Sequence, residues 1–93
     1  MFKVCINDSG QVNVLLLESS KYIANYIINE DVENRVVNLE IIVKPILIGS
    51  HKQGSITFEL DKEFDDLIIN GLVIPFDSVN TCPEEVLELI NYN

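Results

Sequence analysis

Apolar and polar residues alternate with a period of two through much of this chain, and the longest such stretch sets the reading of the rest. Between Arg35 and Leu60, Val37, Leu39, Ile41 and Val43 fall on one side of an extended backbone. Asn38, Glu40, Ile42 and Lys44 fall on the other, with Ile42 marking partial cover of that side. Pro45 cannot donate to a ladder and marks an edge, a bulge or a break. Ile46, Leu47 and Ile48 resume the apolar run, and Gly49 to Gly54 has the chemistry of a loop tip. Ile56, Phe58 and Leu60 then alternate with Thr57 and Glu59. The pattern predicts a long strand, a loop and a return strand at the centre of an antiparallel sheet.

A second pair of strands opens the chain. Phe2, Val4 and Ile6 alternate with Lys3, Cys5 and Asn7, and Asp8-Ser9-Gly10 reads as a hairpin loop with Gly10 in the left-handed region. In the stretch Val12–Leu17, Val12, Val14 and Leu16 share one face and Leu15 and Leu17 the other. A strand apolar on both faces is covered on both.

Elsewhere the spacing is helical. Ser19 or Ser20 can cap a helix, and Ile23, Tyr26 and Ile27, with Tyr22 alongside, predict one over about 19–29. Asp61 reads as an N-cap, and Phe64, Leu67 and Ile68 predict a short helix over about 61–69. Asp61, Glu63, Asp65 and Asp66 would lie in its first turns, where the helix dipole favours carboxylates. Asn70-Gly71 would stop it, with Leu72 folding back onto Leu67. Leu72 to Phe76, interrupted by Pro75, reads as an edge strand or extended connection. Thr81-Cys82-Pro83-Glu84 is a capping box before a helix over about 83–91, with Val86, Leu89 and Ile90 as its buried stripe and Leu87 beside them. The expected fold class is α+β: one domain over residues 1–93, an antiparallel sheet of about five strands with three short helices packed against it.

Composition narrows the class. Ninety-three residues, 47% apolar and 23% charged, support one modest core and exclude a disordered chain. No apolar run is long enough to span a bilayer, and Met1 to Asp8 carries no secretory signal. Cys5 and Cys82 stand near opposite ends, in no disulfide framework and no metal pattern, and read as two reduced thiols in the cytoplasm. Abundant asparagine and isoleucine fit an AT-rich coding sequence, as in some bacteria and phages.

Charge changes the picture most. Up to Thr57 six acids face five bases; from Phe58 onward nine face Lys62 alone, so −8 of the net −9 lies in the last third. Direct binding to a nucleic-acid backbone needs clustered cations and is disfavoured. A basic protein partner is favoured, docking on Asp61, Glu63, Asp65, Asp66, Glu84, Glu85 and Glu88.

Candidate chemistry is sparse. His51 is the single histidine and sits in a polar loop tip without an adjacent partner for general-base work. Cys82 precedes a helix, which can lower a thiol pKa, and a Cys82–His51 pair would need the fold to bring the two together. The acidic run from Glu59 to Asp66 lacks the glycine and ligand spacing of a calcium loop. No catalytic residue, metal or cofactor is therefore assigned, and no enzyme is expected. The expected function is a small acidic inhibitor, an immunity protein or antitoxin neutralising a nuclease-type toxin. Alternatives are a phage inhibitor of a host defence enzyme that mimics DNA charge, and a self-associating assembly module. A monomer or homodimer without membrane attachment is expected.

Overall fold

A computed structural model describes residues 1–49 and 52–92, with side chains through Glu88. His51 and the side chains of Leu89 and Ile90 lie outside that description. Eight strands form: β1 (Phe2–Ile6), β2 (Val12–Leu16), β3 (Lys21–Asp31), β4 (Val36–Pro45), β5 (Ser55–Phe58), β6 (Asp66–Ile69), β7 (Leu72–Pro75) and β8 (Asn80–Thr81). A single 3-10 turn, Phe76–Ser78, and one helix, α1 (Glu84–Tyr92), complete the chain. The first sheet runs β5-β2-β1-β8 and the second β3-β4-β6-β7. Each mixes directions, because β8 runs parallel to β1 and β6 parallel to β4.

The two sheets face one another across a shared core. Val12, Val14, Ile56 and Phe58 come from the first sheet. Ile23, Val37, Leu39, Ile41, Leu67 and Ile69 come from the second, and Phe64 from the connection between β5 and β6. The alternation predicted for β1, β2, β4 and β5 is the alternation that builds this core, since residues two apart share a face.

Strands take 52% of the described residues and helix 9%, so the α+β expectation gives way to a mostly-β fold of two mixed sheets. Of the three expected helices only the last exists. The helix over 19–29 is strand β3, and a bulge explains the misleading spacing. Ile23 lies opposite Val43 and Tyr26 opposite Ile41, with one extra residue between their registers. That residue brings Ile23 and Tyr26, three apart, to the same side of a strand. Tyr22, Ile23, Tyr26, Ile27 and Ile28 are residues that pleated surfaces favour.

The helix over 61–69 is instead a bent connection followed by β6. Asn70 and Gly71 take φ of 48° and 85°, and Ile69 pairs with Leu72 across them. They form a two-residue hairpin turn, not a helix stop, and Leu72 pairs in β7 instead of folding onto Leu67. β7 is the edge strand that the sequence suggested.

The expected central hairpin is also overturned. β4 pairs with β3 and β6, while β5 pairs with β2 in the opposite sheet. The segment after β4 crosses between sheets. Ile46 donates its N–H to Ser20 O at 2.9 Å, and Leu16 and Ile23 donate to the Gly54 and Gln53 carbonyls at 2.8 and 2.7 Å. Alternation specifies a strand's faces but not its neighbour. The β1–β2 hairpin does form, with Gly10 at φ 79°.

Cys5 and Cys82 are disulfide-bonded, which corrects the expectation of two free thiols. The parallel pairing of β8 with β1, at Cys5–Asn80 and Ile6–Thr81, draws the two distant cysteines together. Among the described residues, no helix is long and apolar enough to cross a membrane.

Candidate acidic interface

The connection from β5 to β6 carries the first group of acids. Phe64 is buried in the core and pulls the segment down, leaving Asp61, Lys62 and Glu63 exposed around it. Asp65 is fastened at three points. Its N–H donates to Arg35 O at 2.8 Å, its carbonyl accepts from Phe76 N–H at 3.0 Å, and its Oδ2 accepts from Arg35 Nε at 3.2 Å. Arg35 closes the β3–β4 turn at φ 57°, a left-handed conformation that costs a non-glycine residue about 1 kcal/mol. The sole arginine of the chain thus holds the β5–β6 connection against the β3–β4 turn.

A recess of about 400 Å³ opens at this end of the sandwich. Its apolar part comes from Ile6, Val12, Leu60, Phe64 and Phe76. Glu63, Asp65 and Asp77 meet Arg35 and Lys62 at its polar part.

The second group lies on α1. Cys82 donates its N–H to Ile6 O at 2.8 Å, and the Pro83 carbonyl accepts from Val86 and Leu87 N–H at 3.0 and 3.1 Å. Val86 and Leu87 pack against Cys5, Leu15 and Cys82. Because Val14 faces the core, Leu15 faces the opposite side, so α1 covers the outer face of the first sheet. Glu84, Glu85 and Glu88 remain exposed.

The seven acids singled out from the sequence therefore do not sit on two neighbouring helices. Asp61, Glu63 and Asp65 surround or adjoin the recess, and Asp66 pairs with Val36 in the second sheet. The three α1 glutamates lie over the first sheet. The Cys82–Ile6 hydrogen bond starts α1 at the end of the sandwich where Ile6 lines the recess. Sequence reasoning missed Asp77 at the rim, which no periodic signal marks, and Arg35, whose singularity was the available signal.

Few of these charges are neutralised internally. Among the described residues the ion pairs are Glu18 with the N-terminal amine and Lys21, at 3.2 and 3.4 Å, and Asp65 with Arg35 at 3.2 Å. Of the nine carboxylates from Glu59 onward, Asp65 alone is paired among the described residues. Glu59 accepts a hydrogen bond from Gln11 Nε2 at 3.1 Å. Cys82, bonded to Cys5, offers no thiol nucleophile in this state. No family model, curated protein or solved structure matches the chain.

Proposed function

We propose that the protein binds a basic protein partner through the carboxylates gathered at the recess end of the sandwich, and that it acts as an inhibitor and not as an enzyme. The observation that carries this reading is the unneutralised charge: the acids of the last third are exposed or half-exposed, and Asp65 alone among them has a cationic partner among the described residues. A surface left in that state attracts a complementary one and steers its approach. Enzymes that process nucleic acid carry basic clefts, so an immunity protein or antitoxin against a nuclease-type toxin is the concrete form.

The proposed setting follows the cysteines. A cytoplasmic site of action accompanies reduced thiols, whereas the Cys5–Cys82 bond supports an oxidising compartment, and that is the setting carried forward.

The test is association kinetics with a basic partner captured from the native host, at two salt concentrations. Reversing Asp61, Glu63, Glu84 and Glu85 to lysine is expected to slow association at least tenfold at low salt while moving the melting temperature little. An on-rate indifferent to both salt and charge reversal would remove the reading.

A further inference from the structure

We propose that the Cys5–Cys82 disulfide is a redox-controlled latch: oxidised, it holds β8 and α1 against the first sheet; reduced, residues 79–92 come away while the β1–β7 sandwich stays folded. Among the described residues the attachment of this segment is narrow. The main core draws on residues up to Phe76 and includes nothing beyond it. The contacts of α1 form a separate, small cluster in which both cysteines are members, with Leu15, Val86 and Leu87. β8 has two residues and pairs with β1 only at Cys5 and Ile6. A nine-residue helix is too short to persist in water without such packing. Glu84, Glu85 and Glu88 are also repelled by the chain's net charge of −9. Breaking the sulfur bridge removes the one covalent fastening and leaves, among the described contacts, Val86 and Leu87 with the two β8 residues, the situation in which a unit opens locally.

Opening has a defined consequence underneath. Asn13 is fully buried there; its Oδ1 accepts from Thr57 Oγ1 at 2.7 Å and its Nδ2 lies 3.7 Å from Cys82 Sγ. Departure of the segment uncovers Asn13, Leu15 and Cys5, and leaves β1 an edge strand with open backbone groups along Phe2–Ile6. The chemistry is a thiol–disulfide exchange with a dithiol. The dithiol gives up two electrons and two protons and closes its own S–S bond, and Cys5 and Cys82 leave as thiols. The sulfurs are buried, at 1% and 5% residue exposure, so attack follows fraying of the segment and is slow. On the proposed function, on which this clause rests, the α1 glutamates would be displayed to a partner only by the oxidised protein.

Amide hydrogen exchange on the whole chain tests the latch without any partner, so its failure is distinct from failure of the binding reading. Oxidised protein, protein reduced with dithiothreitol and the Cys5→Ala/Cys82→Ala variant are compared. Reduction and the double variant are expected to speed exchange across 84–92 by a hundredfold or more, while Val14, Leu39 and Leu67 keep their protection. Equal protection of α1 in all three states would overturn the latch. So would loss of protection at Val14, Leu39 and Leu67 together with α1, because the disulfide would then be a staple of the whole fold.

Discussion

Asn70 shows how much one side chain does in this structure. It stands at φ 48° in the β6–β7 turn, its Oδ1 accepts from Ile41 N–H at 2.8 Å, and its Nδ2 donates to Ile41 O at 3.2 Å. Its backbone N–H donates to Leu39 O at 3.0 Å, so the side chain continues the β4–β6 ladder by one more step after the backbone has turned away. Asn70→Ala loses two hydrogen bonds and adds strain at positive φ, and is expected to cost about 2–3 kcal/mol in urea unfolding. Asn70→Gly removes the strain but not the lost bonds and should cost about 1 kcal/mol less. Equal stability of the two variants would show that φ strain plays no part. Asp31 makes a second residue-scale case. Its carboxylate accepts from Asn34 Nδ2 at 2.8 Å and Asn34 N–H at 3.1 Å, and these bonds hold its pKa below the ordinary 3.8. A lowered folded pKa means that the unfolded chain binds the proton more readily. The contribution is therefore present above pH 3.8 and lost as pH falls through the lowered value. Asn34→Ala should raise the Asp31 midpoint in an NMR titration; an unmoved midpoint would discard this account.

At the scale of elements, what was legible in the sequence was facing, and what was not was pairing. Alternation identified β1, β2, β4 and β5 and placed their inward residues correctly, and the run Thr81-Cys82-Pro83-Glu84 marked the approach to α1, although Thr81, read as its cap, lies in β8. β3 was misread because its bulge converts a period of two into a spacing of three between Ile23 and Tyr26. β6 was misread because the acids before it resemble the first turn of a helix, although Asn70-Gly71 between apolar runs is itself a hairpin signal. No local pattern could announce that β5 joins β2, or that Cys5 meets Cys82, since both depend on partners far along the chain. The candidate site divides the same way: exposure of the acids was readable, their distribution over two sheets was not. The bulge can be tested directly. Deleting Ala24 restores a plain alternation in which Ile23, 1% exposed, and Tyr26 stand two apart and keep their common side opposite Val43 and Ile41. The deletion variant is therefore expected to unfold within about 1 kcal/mol of the parent in a denaturant melt. A loss of about 3 kcal/mol, the scale of taking Ile23 out of the core, would show instead that the strand needs the bulge itself.

The whole molecule measures 43 × 27 × 19 Å and carries a net charge of −9. At about 0.01 M salt the screening length is about 30 Å, so each carboxylate feels most of the others. At about 0.15 M it falls to about 8 Å and the repulsion becomes local. The ion pairs seen among the described residues are on the surface and contribute little that screening could remove. Melting temperature should therefore rise by several degrees between these conditions. A flat or falling dependence would mean that attractive pairs outweigh the excess of acid.

The order in which strands enter the sheets has a consequence for synthesis. The first sheet takes its outer members from β5 and β8 and the second takes β6 and β7, all from the later half of the chain. The hairpins β1–β2 and β3–β4 can form as they leave a ribosome, because each joins neighbours in sequence. The first then waits with both backbone edges unpaired, for β5 and β8, and the second with its β4 edge unpaired, for β6. The nascent chain is thus most exposed to wrong partners while β5 to β8 are still inside the exit tunnel, and the sandwich is completed only once β8 has emerged.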